Sequence, residues 1–117
     1  MIMSRSEREA DSDARTVRYS RRVVARALEV GHVGRDNAIS GRDLARFVPI
    51  SETTVRDVIA ELRDDPAGPP IGSCADGYFI ISSDAELSKY VASMNETIQT
   101  TRERLEANLE AYQRRRE

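Results

Sequence analysis

Two serines and a proline constrain this chain more tightly than any other residues. Ser40 precedes a run that ends at Val48, Pro49 interrupts it, and Ser51 precedes a second run that ends at Leu62. A serine just ahead of a helix accepts a hydrogen bond from a first-turn amide, and an acid three residues on completes a reciprocal cap. Asp43 stands in that place after Ser40. Proline has no N–H and keeps the preceding residue out of the helical region, so the first helix must end by Val48. Leu44 and Val48 share one face, Ala45 is small enough for a second helix to cross closely, and Ile50 plugs the turn. In the second helix Val55, Val58, Ile59 and Leu62 recur at helical spacing. That leaves Glu52, Thr53, Arg56, Asp57 and Arg63 on the other face. The stretch from Ser40 to Leu62 therefore reads as two short helices joined by a tight turn.

The flanks complete a small domain. Residues 1–14 are polar and charged and read as a disordered lead-in. From about Ala14 to Val30 a helix is expected, with Val17, Val24, Ala27 and Leu28 as its apolar stripe and Gly31 as its stop. The segment from His32 to Ser40 reads as a loop with a short strand at Ala38–Ile39. After Leu62, the sequence RDDPAGPP forces a turn. Ile71–Cys74 and Tyr78–Ile81 then read as two strands joined through Ala75, Asp76 and Gly77, since Asp-Gly is a strong hairpin signal. One of Tyr78 and Phe79 must face the core. Ser83, with Glu86 three residues on, opens a last helix that runs to about Arg114 without Pro or Gly. At ~30 residues it would extend about 45 Å, too long to be buried on so small a domain. Along it Leu87, Val91, Met94, Ile98, Thr101 and Leu105 alternate four and three residues apart, as in a coiled-coil seam. Leu109 and Tyr112 compete with the strict continuation through Asn108, so the register can slip near the end.

Bulk properties exclude several classes. Within 117 residues, 39% hydrophobic and without Trp, only one small core fits, and oligomerisation would help to stabilise it. Cys74 is the single cysteine, so no internal disulfide forms and a reducing, cytoplasmic setting is expected. It has no Cys or His companions at metal spacing, and His32 reads as a loop residue, so no metal site is expected. No apolar run reaches the ~20 residues of a membrane span, and no hydrophobic signal region opens the chain. No nucleophile with a placed base, Gly-rich phosphate loop or outstanding acid pair is present, so neither an enzyme nor a cofactor is expected. The net charge of −2 is unevenly spread: residues 15–64 hold ten Arg against seven acids, net +3, while 1–14 carry −2 and 65–117 carry −3. The positive excess falls on the two-helix segment, as in a nucleic-acid-binding face.

Three helices, the pattern ISGRDLARFVPISETTVRDVIAEL and the hairpin PPIGSCADGYFI together resemble the winged helix-turn-helix family of DNA-binding proteins, over roughly residues 17–82. It looks like the small winged-helix proteins of bacteria, archaea and their phages, many of them transcriptional regulators. The expected fold is thus α+β, mostly α: a disordered segment over 1–14, a winged helix-turn-helix domain over 15–82, and a coiled-coil-like dimerisation helix over 83–117. The expected DNA contacts are Arg56 and Thr53 to base edges, Ser51 and Thr54 at the helix start, and Arg42 and Arg46 to phosphates. The expected wing is Ser73, Cys74, Ala75, Asp76 and Gly77, with Asp76 shaping the turn. Leu87, Val91, Met94, Ile98 and Leu105 are expected to form a homodimer. The partner is then double-stranded DNA. Two rivals share these features: a phage or plasmid replication or packaging adaptor on DNA, and a protein-interaction module without DNA, which the acidic wing tip favours.

Overall fold

The structure, a computed structural model, describes the backbone of residues 5–116 and the side chains from Arg18 to Arg116. The order is α1 (Arg5–Gly31), a short 3-10 turn (Arg35–Asn37), α2 (Gly41–Phe47), α3 (Glu52–Asp64), β1 (Ile71–Cys74), β2 (Gly77–Ile80) and α4 (Asp84–Arg116). The fold is mostly helical, with one antiparallel hairpin. It divides into two units, Met1–Ser83 and Asp84–Glu117.

Three expectations are corrected. Helix α1 begins at Arg5 rather than near Ala14, so the segment over 1–14 expected to lack order is helical from Arg5; residues 1–4 lie outside the described residues. The physical reason is that nothing from Arg5 to Val30 breaks a helix: there is no Pro and no Gly. The hairpin is tighter than expected, because Gly77 pairs with Cys74 and the turn shrinks to Ala75–Asp76. The second strand accordingly ends at Ile80 rather than Ile81. The strand expected at Ala38–Ile39 is a single bridge, Ile39 to Tyr78.

The caps explain why α2 and α3 form where they do. The Ser40 hydroxyl accepts from the Asp43 amide at 3.0 Å, and the Ser51 hydroxyl accepts from the Thr54 amide at 3.1 Å. Helix α2 stops at Phe47, two residues ahead of Pro49. The core joins Val24 and Leu28 of α1, Leu44 and Val48 at α2, and Val55, Val58, Ile59 and Leu62 of α3. Ile39, Ile71 and Ile80 close it from the hairpin side. Phe79 is buried while Tyr78 is half-buried, as alternation along a strand requires. Val17 lies outside the described side chains. Strand β2 is the centre of the small sheet. It pairs with β1 along one edge, while Ile39 exchanges hydrogen bonds with Tyr78 along the other at 2.9 and 2.8 Å.

One core residue is not apolar. Ser20 of α1 is 2% exposed and its hydroxyl has no hydrogen-bond partner. Leaving a buried polar group unsatisfied costs about 1–3 kcal/mol, whereas removing it leaves only a small void. Ser20→Ala is therefore expected to stabilise the fold by roughly 1 kcal/mol, a rise in Tm of about 4–8 °C for a domain of this size. Thermal unfolding checks this, and an unchanged or lower Tm would show that the hydroxyl finds a partner in solution.

Helix α4 forms the second unit. Its 33 residues extend about 50 Å, and none is buried. Leu87, Val91, Met94, Ile98, Leu105, Leu109 and Tyr112 are all exposed.

Candidate nucleic-acid interface

The buried face of α3 fixes which of its residues look outward. With Val55, Val58, Ile59 and Leu62 in the core, Thr53, Arg56, Asp57, Ala60, Glu61 and Asp64 are exposed. Thr53 and Arg56 lie one turn apart at the start of the helix, where a recognition helix offers side chains to base edges. The guanidinium of Arg56 is already engaged: Nη2 donates to Glu52 Oε1 at 2.7 Å, with side-chain exposures of 64% and 40%. Glu52, four residues earlier, and not the adjacent Asp57, is thus the charge partner of Arg56. Residues one apart on a helix point in different directions, while residues four apart are neighbours. An exposed pair at this spacing contributes about 0.3–0.5 kcal/mol, so a phosphate or a base can displace Glu52 readily.

A feature the sequence reading missed sits under Arg56. A methyl group on Gly41 would stand 3.7 Å from Arg56 Cγ and 3.6 Å from Cε2 of Tyr78. The stem of Arg56 therefore passes beside the first residue of α2 and the ring of β2, which bring Gly41, Arg56 and Tyr78 together. A methyl group at Gly41 would meet both side chains at ordinary van der Waals distance, so the arrangement does not require glycine there.

The other expected contacts divide. Arg42 and Arg46 are exposed one turn apart on α2. Arg46 lies 3.8 Å from Asp43, and among the described residues no ion pair engages Arg42. Ser51 and Thr54 are occupied by the cap, their hydroxyls 2.8 Å apart. At the hairpin, Ser73, Ala75 and Asp76 are exposed, and Cys74 and Gly77 are half-buried. Arg63 of α3 donates to the Ser73 hydroxyl at 3.4 Å, a long bond between the last turn of α3 and β1. Asp76, at the tip, lines a hollow of about 490 Å³ together with Ser40, Asp43 and Arg46. The tip therefore lies near the start of α2 and carries a carboxylate, a poor partner for phosphate.

Charge varies along α3 as well. Its first turns carry Arg56, and its last turns expose Glu61 and Asp64. Part of that acid is neutralised from α1, where Arg21 stands 4.0 Å from Glu61 and 3.6 Å from Asp65. Among the exposed residues of α2 and α3, the cations Arg42, Arg46 and Arg56 thus lie on α2 and the first turns of α3.

Among the described residues, no group of three or more His, Cys, Asp or Glu is placed to hold a metal ion. Among the described residues, no helix is long and apolar enough to cross a membrane. Scans against family models, curated proteins and solved structures found no match to this chain.

Proposed function

We propose that this chain is a sequence-specific, dimeric DNA-binding protein of the winged helix-turn-helix type, acting as a transcriptional regulator. The first turns of α3 enter the major groove, Arg56 and Thr53 read base edges, and Arg42 and Arg46 hold phosphates. The hairpin braces this helix pair through Arg63–Ser73 and the Ile39 bridge. The observation that carries the reading is the pair of serine-capped helices, α2 and α3, with Thr53 and Arg56 exposed at the start of the second. Dimerisation comes from the exposed apolar stripe of α4.

Selection of bound sequences from a random DNA pool, followed by shift assays with competitor DNA, tests the proposal. Binding is expected to weaken with salt at a log–log slope of about −0.9 per phosphate neutralised. A slope near zero, or no enriched sequence, would remove it. Arg56→Ala is expected to cost about 1–3 kcal/mol on the selected site and to relax preference at one position. Because the Glu52 pair is worth so little to folding, Tm should scarcely move. Equal losses on selected and random DNA would reassign Arg56 to phosphate contact.

A second reading has its own observation. Val23, Ala27 and Val30 of α1, with Leu44, Phe47 and Val48, line an open groove of about 470 Å³. Val30 and Phe47 are each 77% exposed at its edge. This surface suits an apolar protein partner, and a chain that selects no DNA but retains a protein partner would favour the interaction module.

A further inference from the structure

We propose that two copies of α4 pair in a parallel, in-register arrangement, and that Asn108 enforces that choice. The inference rests on the dimer proposed above and specifies its geometry.

Along α4 the spacing divides the seam into two sets of core positions. Val91, Ile98, Leu105 and Tyr112 form one, and Leu87, Met94, Thr101 and Asn108 the other. Branched Val91 and Ile98 in the first set, with Leu87 in the second, match the pattern that favours two parallel strands over the first half of the seam. The apolar members, with Leu109, are between 39% and 61% exposed. They present roughly 600 Å² per chain, so a pair buries at most about 1,200 Å², the lower end of the range for specific interfaces.

The polar members decide the direction. In a parallel, in-register pair every core residue meets its counterpart. Thr101 faces Thr101, and each Asn108 amide can both donate to and accept from the other. An antiparallel pair that overlaps the whole stripe mates Leu87 with Tyr112, Val91 with Asn108, Met94 with Leu105 and Ile98 with Thr101. Val91 offers an amide no partner, and a buried unpaired amide is disfavoured. Sliding one heptad one way frees Asn108 but carries Leu109 and Tyr112 past the end of the opposite helix. Sliding the other way sets Asn108 against Ile98 and uncovers Leu87. The parallel register also places Arg104 of one copy beside Leu109 of the other, where its methylenes cover an apolar residue outside both core sets. Charge does not choose, since Arg102 and Arg104 meet no like charge in the parallel pair or in the full antiparallel overlap.

The test uses the full chain with Cys74→Ser, which removes the single cysteine, carrying either Met94→Cys or Leu105→Cys. A short bis-maleimide is expected to link each variant to itself. Linkage only in a mixture of the two would show antiparallel pairing and overturn the inference while leaving the dimer intact. Adding Asn108→Leu is expected to retain the dimer but to let Met94→Cys and Leu105→Cys link to one another. If that variant still links each only to itself, the role given to Asn108 is overturned. A full chain that sediments as a monomer overturns the dimer itself, and this inference with it.

Discussion

Replacing Gly77 by alanine is expected to destabilise the first unit by roughly 3 kcal/mol or more, lowering Tm by on the order of 12–24 °C. Two independent causes act at this residue. Its φ of +125° lies where L-residues with a side chain are strained. A Cβ there would also overlap the carbonyl of Ile39. That carbonyl accepts the Tyr78 amide at 2.8 Å, so relief of the overlap pushes the Ile39 bridge away from β2. The bridge holds the hairpin against the segment that leads into the Ser40 cap, and Tyr78 stands beside Arg56 and Gly41. Loss of stability should therefore be accompanied by weaker DNA binding, even under conditions where the variant is still folded. Chemical denaturation measures the first effect and a shift assay the second. A variant within about 0.5 kcal/mol of the parent, the range typical of surface changes, would mean that the hairpin stands clear of Ile39 in solution.

Gly77 also marks a boundary of what sequence reveals. The Asp-Gly pair announced a hairpin, but the residue at fault in a substitution is named by the Ile39 backbone, distant in sequence and invisible to local patterns. The opposite holds for α2 and α3. Ser40, Asp43, Pro49 and Ser51 act on their immediate neighbours, and the buried residues Leu44, Val48, Val55, Val58, Ile59 and Leu62 recur with the helical period. Both kinds of signal are written within a few residues. The early start of α1 was hidden because a polar helix without an apolar stripe has the composition of a disordered lead-in. At the candidate site, Thr53 and Arg56 were legible as outward-facing because their neighbours are core. Glu52 as the partner of Arg56 was legible in principle, since an acid four residues ahead of an arginine is the favoured helical pair. The position of the hairpin tip near α2 was not, because it depends on how the whole sheet is pinned.

Disrupting the stripe of α4 is expected to convert a dimer to a monomer and to weaken DNA binding by about 10²–10⁴-fold, the range over which linking two sites acts. The exposed faces of α2 and α3 carry few cations, Arg42, Arg46 and Arg56, of which two already have acidic neighbours. One such surface is expected to bind DNA weakly, and a second, tethered copy would make the next contact effectively intramolecular. Val91 and Ile98 are 46% and 54% exposed, so Val91→Glu with Ile98→Glu disturbs no core of the single chain. In a dimer the same changes place four carboxylates together in an apolar seam. Each buried Val or Ile lost from that seam removes roughly 1.5–3 kcal/mol, before the repulsion is counted. Truncation after Ser83, the end of the first unit, removes the seam altogether while leaving every residue of the core cluster in place. Sedimentation and shift assays on the full chain, the double variant and the truncated chain form the test. The full chain should dimerise at micromolar concentration, and both altered chains should sediment as folded monomers with unchanged sequence preference but reduced affinity. A truncated chain that still dimerises would move the interface to the first unit, where Val30 and Phe47 border the α1–α2 groove. Dimerisation lost without loss of affinity would separate pairing from DNA binding, leaving α4 to serve a different partner.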